Sequence, residues 1–243
     1  MEGVSSIQQK RPRGLQMISI EAQQNLLTQI GEQLDRKIIV YAIGGTAMMF
    51  QGIKDTTLDI DLVFTSEKER KLFAGALKTI GYERMDSVQV YGKKKNHPEM
   101  YTRGDERFDL FLNTVIKFVF SKKVQLRAET IHQYNKLYVQ IADVHDIILM
   151  KCATDRMKDL DDVKTILKLH KIDWKVLVEE AKEQIKQGRE VAAFDLGCFL
   201  EDLKEKHQVN IPIKVLDALF ELVQKQAKEK RKSSSKTSQI ERF

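Results

Sequence analysis

Three aspartates in apolar surroundings are the residues of this sequence best suited to chemistry. Asp59 and Asp61 alternate with apolar residues in LDIDLVF (58–64), and Asp109 stands alone in FDLF (108–111). Because side chains on a strand alternate between its two faces, Asp59 and Asp61 are expected to point the same way. Two such carboxylates repel each other unless a cation lies between them, and Mg²⁺ or Mn²⁺ suits oxygen ligands. The three residues are therefore predicted to hold metal, provided that their strands are neighbours.

This trio suits phosphoryl-type transfer, which uses two divalent cations about 3.5–4 Å apart. Asp59 and Asp61 would bridge both cations. Asp109 would bind the cation on the nucleophile side and accept the nucleophile's proton. The alternative is a strand with one solvated acidic face, which is the commoner meaning of an isolated D-x-D motif.

A glycine pair lies between a predicted strand and a predicted helix. Gly44 and Gly45 follow the apolar run KIIVYAI (37–43), and Thr46 opens TAMMFQ (46–51). Glycine lets a backbone approach phosphate oxygens, and a helix N-terminus offers free N–H donors. This motif favours a nucleotide site, although a glycine pair alone indicates only a turn.

Apolar periodicity predicts an α+β chain, in which a mixed sheet comes first and helices follow. Residues 20–34 have helical spacing, and Ser66 is predicted to cap a helix that Gly81 ends. Strands are predicted at 37–43, 58–64, 82–92, 98–103, 107–112 and 136–141, and helices near 143–154, 158–170, 174–187, 189–206 and 212–229. The predicted domains are a flexible N-terminus (1–18), a catalytic domain (19–142), a helical domain (143–229) and a basic disordered tail (230–243).

The order of these motifs resembles the signature of the DNA polymerase β-type nucleotidyltransferase superfamily. A strand leads into Gly44-Gly45-Thr46, twelve residues intervene before Asp59-Ile60-Asp61, and a later strand carries Asp109. The resemblance implies a nucleotidyltransferase-type mixed sheet with flanking helices. It also implies a divalent cation, Mg²⁺ or Mn²⁺, and a nucleoside triphosphate (NTP) as substrate.

A second segment resembles the branch of abortive-infection toxin nucleotidyltransferases and their prokaryotic relatives. Lys151-Cys152-Ala153 is followed by the run Arg156-Met157-Lys158-Asp159-Leu160-Asp161-Asp162. The resemblance implies that the nucleotide-binding residues include Lys151, Arg156, Lys158, Asp159 and Asp162, with Lys151 facing the phosphates. Without the resemblance, the ammonium group of Lys151 is expected either to reach solvent or to meet an anion. Asp159 and Asp162 could equally form a first-turn charge pattern that the helix dipole favours.

Composition indicates a folded protein of a reducing compartment. The sequence is 42% hydrophobic and 31% charged, unlike a disordered chain. No apolar run approaches the roughly 20 residues that cross a bilayer, and the start lacks a signal peptide's apolar stretch, so a cytoplasmic location without membrane contact is expected. Cys152 and Cys198 have no metal-type spacing and are predicted to be reduced.

Positive charge is concentrated at the end of the sequence. The formal net charge is +6, and residues 225–243 contain seven Lys or Arg and two Glu. Such a tail can tether RNA, DNA or an acidic partner, or it can be simply solvated.

The leading hypothesis is an enzyme that transfers a nucleoside monophosphate from an NTP to a hydroxyl and releases pyrophosphate. The acceptor stays open among an RNA such as tRNA, a protein side chain and a small molecule. The toxin-like branch adds a cognate antitoxin-like protein as an expected partner. The alternatives are a non-catalytic regulatory protein that keeps the fold and a nucleic-acid-binding module.

Overall fold

The computed structural model describes residues 17–92, 95–152 and 156–240. Over these ranges the chain has the predicted α+β architecture, in which strands and helices alternate up to Ile141 and helices follow. Residues 1–16, 93–94, 153–155 and 241–243 lie outside the described residues, and Ala153 of the second motif is among them.

The strands form one large mixed sheet and one small ladder. Their bounds are β1 (Ile18–Ser19), β2 (Ile38–Ala42), β3 (Thr56–Thr57), β4 (Ile60–Phe64), β5 (Glu83–Met85), β6 (Glu99–Arg103), β7 (Glu106–Leu112), β8 (Thr114–Val115), β9 (Phe118–Val119), β10 (Ile131–Tyr134) and β11 (Leu137–Ile141). The order in the large sheet is β10-β11-β2-β4-β7-β6-β5, with β8 and β9 continuing from β7. Strand β11 is parallel to β2, and β4 is parallel to β7. Strands β1 and β3 pair separately.

The helices flank this sheet and then form the C-terminal region. Their bounds are α1 (Ile20–Gln33), α2 (Gly44–Phe50), α3 (Glu67–Thr79), α4 (Val88–Tyr91), α5 (Lys122–Arg127), α6 (Val144–Cys152), α7 (Met157–Leu169), α8 (Trp174–Lys186), α9 (Glu190–His207) and α10 (Ile213–Ile240). The predicted cap of α3 is confirmed, because the Ser66 hydroxyl accepts the N–H of Glu69.

Burial explains why the central strands are so apolar. Ile60, Leu62, Val63 and Phe64 of β4 are each fully buried, so both faces of this strand are covered. Helices α1 and α3 pack against each other and against the sheet, and α2 packs on β4 and α6. The strand that carries the site is therefore held at the centre of the core.

Two predicted elements differ from the structure next to the site. Residues 82–92 were predicted to be one strand, but β5 ends at Met85 and α4 follows. The Asp86 carboxylate accepts the N–H of Val88, which turns the chain at that point. Helix α2 begins at Gly44, whereas the sequence placed its start at Thr46.

Regular elements extend into both predicted terminal segments of the described chain, whose flexibility stays a prediction. Ile18 and Ser19, assigned to the flexible N-terminus, pair with Thr57 and Thr56. Helix α10 continues to Ile240, into the segment that was predicted to be a disordered tail from residue 230. Its first turns bury Val215, Leu216 and Leu219, and the Lys-, Glu- and Gln-rich sequence that follows has high helix propensity. The boundary at residues 142 and 143 stays a prediction.

Candidate active site

Parallel pairing of β4 and β7 brings the three aspartates together. Asp61 and Asp109 are directly opposite each other in the register of the two strands. Asp59 lies just before β4 rather than within it, because the strand begins at Ile60. One carboxylate oxygen from each residue lies within 4.8 Å of the others, and this is the acidic metal-type group found among the described residues.

Burial makes this concentration of negative charge costly. Asp109 is fully buried and Asp59 nearly so, while Asp61 is partly exposed. Loss of water and the charge of Asp109 raise the pKa of Asp61 to about 7, and the cations Arg156, Lys151 and Lys158 partly oppose this shift. Burial also raises the pKa of Asp109, although Arg107 opposes it. Additional positive charge would therefore favour the ionised trio.

Two side chains that the sequence did not single out contact the carboxylates. Arg107 forms an ion pair with Asp59, and its Nε lies 3.2 Å from Asp109 Oδ1. That contact lacks hydrogen-bond geometry, so Asp109 Oδ1 accepts no hydrogen bond from the described residues. The hydroxyl of Tyr91 donates to Asp109 Oδ2 at 2.6 Å.

The glycine pair lets the backbone approach Asp61. Gly44 has a φ of +55°, and a Cβ atom at this position would lie 2.8 Å from Asp61 Oδ2. A Cβ atom at Gly45 would lie 2.5 Å from the hydroxyl oxygen of Thr57. The diglycine turn is therefore built against the acidic cluster, and both glycines line the cleft above it.

Thr46 holds the acidic segment instead of facing the cleft. Its side chain is fully buried, and its hydroxyl accepts the N–H of Asp61 at 2.8 Å and donates to the Asp59 carbonyl at 3.5 Å. The sequence predicted nucleotide contact for Thr46, but its hydroxyl is used to fix the backbone of the two aspartates. This residue therefore positions the metal-type cluster.

The charged residues of the second motif line the same cleft as Asp59 and Asp61. Lys151 Nζ donates to Asp159 at 2.9 Å and to Asp162 at 2.5 Å, and Arg156 donates to Asp159 at 2.8 Å. Lys54, which the sequence did not identify, donates to Asp162 at 2.9 Å. All five of these residues line the same cleft, as does Lys158.

Family comparison agrees with this geometry. Residues 15–207 match the protein family described as nucleotidyltransferase of unknown function (DUF6036). The chain belongs to this family. A distant similarity also links this nucleotidyltransferase family member to the crystal structure of an antigenic nucleotidyltransferase-like protein from Paracoccidioides brasiliensis, at 14% identity and a TM-score of 0.45, covering 84% of this chain and 94% of that chain. None of the curated proteins matches the sequence.

In this nucleotidyltransferase family member, the donor set fits a divalent cation. The three clustered ligands are carboxylate oxygens, which Mg²⁺ and Mn²⁺ prefer. Asp109 Oδ1 is buried and accepts no hydrogen bond from the described residues, although Arg107 Nε lies 3.2 Å away, so a cation could use this oxygen as a ligand. Separately, none of the described helices combines the length and apolar character of a bilayer span.

Proposed function

We propose that the chain transfers a nucleoside monophosphate from an NTP to a hydroxyl group, with pyrophosphate as the leaving group. The observation that carries this proposal is the convergence of Asp59, Asp61 and Asp109 within 4.8 Å, directly beside the Gly44 backbone. Membership of a nucleotidyltransferase family supports it. A non-catalytic protein with this fold has no chemical reason to concentrate three carboxylates at one buried point.

The roles of the carboxylates follow from their positions. Asp59 and Asp61 would hold the cations, and Asp109 would share one and accept the proton of the attacking hydroxyl. When bound, divalent cations neutralise the phosphates and make the attacking hydroxyl more acidic. Asp109 suits a proton acceptor because burial raises its pKa above the ordinary value for aspartate.

The lysines and the arginine that line the cleft would bind the triphosphate. Lys151 is buried and bonded to Asp159 and Asp162, so its position is fixed before substrate enters. Asp162 also bonds Lys54, and Arg156 is oriented by Asp159. Asp159 and Asp162 would therefore act by orienting the basic side chains. Direct contact between these carboxylates and an anionic nucleotide would be repulsive.

The proposed function extends to the branch of the enzyme, its protein partner and its acceptor. The resemblance of residues 151–162 to the abortive-infection branch supports a toxin-type enzyme with a cognate antitoxin-like partner. The basic C-terminal segment supports RNA, including tRNA, as an acceptor. The alternative is a non-catalytic nucleic-acid-binding or regulatory protein with the same fold.

The test is incubation with each α-labelled NTP, Mg²⁺ and total tRNA, with label resolved on RNA and on protein. The Asp61→Asn variant should lose labelling by at least about a hundredfold, because one cation ligand is removed. The matched control is Asp105→Asn in the exposed turn between β6 and β7, which should label as the wild type does.

Unchanged labelling in Asp61→Asn would contradict the proposed metal role. Absence of both NTP binding and pyrophosphate release in the wild type, with every NTP, would contradict the enzyme proposal. RNA binding that persists without NTP turnover would then support the non-catalytic alternative.

A further inference from the structure

We propose that Tyr91 is an acceptor for this site, so that the chain attaches a nucleoside monophosphate to its own tyrosine. This inference rests on the proposed function and deepens it by naming an acceptor. The Tyr91 hydroxyl donates a 2.6 Å hydrogen bond to Asp109 Oδ2. Asp109 is the carboxylate to which we assign the proton of the attacking hydroxyl. The acceptor and the base are therefore already in contact.

The contact has the geometry that general-base catalysis requires. A base must lie about 2.6–3.2 Å from the atom whose proton it takes. Asp109 Oδ2 meets this requirement with Tyr91, while Oδ1 accepts no hydrogen bond from the described residues. Asp109 thus offers Oδ2 to the proton, while Oδ1 is left to positive charge, which Arg107 Nε at 3.2 Å supplies in this structure.

Tyr91 differs from the other described tyrosines whose hydroxyls bond to acids. Tyr82 donates to Glu106 and Tyr101 donates to Glu99, and neither ring lines the cleft of the aspartates. Tyr91 lines that cleft together with Asp59 and Asp61. The other hydroxyl residue of the lining is Thr57, which is buried against Gly45. Tyr91 is therefore the better-placed hydroxyl of the lining.

Packing fixes the Tyr91 ring while leaving its helix at the surface. The ring lies edge-on to Phe111, with centroids 6.3 Å apart, on the same strand that carries Asp109. By contrast, Val88 and Val90 of α4 are 49% and 47% exposed. The strand thus sets the position of the hydroxyl relative to Asp109, and because Tyr91 lines the cleft, an adduct on its hydroxyl would extend into the cleft.

The chemical step balances without a further reactant beyond the NTP. Tyr91 Oη forms a bond to the α-phosphorus, and the bond from that phosphorus to the oxygen bridging toward the β-phosphate breaks. The leaving pyrophosphate keeps the electron pair of the broken bond, and the hydroxyl proton passes to Asp109 Oδ2. The product is a phosphodiester between the tyrosine and the nucleoside.

The experiment is intact mass measurement and peptide mapping of the full chain after incubation with Mg²⁺ and each of the four NTPs. We expect a mass increase of one nucleotidyl group, which is a nucleoside monophosphate less one water, mapped to Tyr91. The modified fraction at a fixed time should not depend on protein concentration, because the reaction is intramolecular. Mapping on the wild type decides the site even if a variant folds poorly.

The Tyr91→Phe variant should lose the adduct and still bind labelled NTP in equilibrium dialysis. The matched control, Tyr101→Phe, should keep the wild-type adduct. An adduct on Thr57 or elsewhere, or one unchanged in Tyr91→Phe, would overturn the inference. A wild type that modifies an external hydroxyl but not itself would also overturn the inference about Tyr91. That result would still agree with the proposed function. If the wild type neither binds NTP nor releases pyrophosphate, both the proposed function and the Tyr91 inference are contradicted.

Discussion

Asp61 is the carboxylate of the cluster whose ionisation depends on what is bound beside it. Burial and the charge of Asp109 raise its pKa to about 7, and three nearby cations oppose the shift. A proton and a divalent cation therefore compete for the same oxygens. In the metal-free protein, ionising Asp61 destabilises the fold, because its folded pKa lies above the ordinary value.

We expect the stabilisation that Mn²⁺ gives the protein to increase with pH and to level off above about pH 7. Below that pH the folded protein holds a proton that the cation must displace, and above it Asp61 is ionised. The measurement is the Tm with and without saturating Mn²⁺ from about pH 5 to about pH 8. If Mn²⁺ raises the Tm equally at every pH, then a proton and Mn²⁺ do not compete for Asp61.

Gly44 tests whether the close backbone approach matters to Asp61. In Gly44→Ala the new Cβ would lie 2.8 Å from Asp61 Oδ2, so the carboxylate must move. We expect Mn²⁺ affinity to fall about tenfold or more, as is usual when a group that orients a ligand is lost. Left-handed backbone strain should also cost about 1–2 kcal/mol of the free energy of unfolding.

Gly52→Ala is the matched control for that substitution. Gly52 has a φ of +67°, but nothing lies within 4 Å of its added Cβ. It should show a similar loss of stability with unchanged Mn²⁺ affinity. Equal Mn²⁺ affinities in both variants, measured by titration calorimetry, would show that the Gly44 approach does not position the metal ligand.

At the scale of elements, a buried ion network joins α5 to α6 and α8. Arg127 bonds Asp146 through two nitrogens and also bonds Glu180, and both carboxylates are almost fully buried. Ser121 adds a bond to Glu180. Burial raises the pKa of Asp146 to about 6 despite Arg127, so the arginine is needed to keep this carboxylate ionised.

Removing that arginine should destabilise the packing of the C-terminal helices. Arg127→Met leaves two buried acids without their cation, and we expect a loss of about 3–5 kcal/mol in the free energy of unfolding. Lys123→Met on the same helix removes an exposed contact of 3.9 Å to Glu183 and should change stability by less than about 0.5 kcal/mol. Urea unfolding measures both, and similar losses would contradict a structural role for the network.

Elements with a strong apolar period were predictable from sequence, because burial itself produces that period. Residues 174–187 and 58–64 were predicted as a helix and a strand, and the structure has Trp174–Lys186 and Ile60–Phe64. Short elements such as β8, β9 and α5 were missed. They contain two to six residues, too few for a period to emerge.

Some residues of the site were predictable from the sequence, and others were not. The trio of aspartates was predictable because lone acids in apolar strands are costly, and Arg107 could have been inferred from its position two residues before Asp109. Lys54 could not, because it lies in a polar stretch without periodicity. Its contact with Asp162 joins residues 108 positions apart and depends on how α7 packs.

Over the whole molecule, positive charge is concentrated in the cleft and in the C-terminal sequence. Lys54, Lys151, Arg156 and Lys158 line the cleft together with Asp59 and Asp61. Residues 225–243 of the sequence hold most of the net charge of +6. Charge in the cleft suits a triphosphate, whereas charge at the end suits a long polyanion.

Deleting residues 231–243 should separate these two roles. The deletion removes Arg231, Lys232, Lys236 and Arg242 together with Glu241. Metal-dependent turnover of NTP should stay at the wild-type level. RNA affinity should fall. The slope of the logarithm of the binding constant against the logarithm of salt concentration should become shallower by about 0.7 for each lost phosphate contact. Loss of turnover along with RNA affinity would contradict the separation.

The most direct test of the metal-bound trio is Mn²⁺ binding followed by electron paramagnetic resonance in the presence and absence of NTP. We expect saturable binding that strengthens with NTP and weakens about tenfold or more in Asp59→Asn, Asp61→Asn and Asp109→Asn, each with a wild-type circular dichroism spectrum. Asp105→Asn should bind as the wild type does. Equal Mn²⁺ affinity in the wild type and all three variants would contradict a metal site at these aspartates.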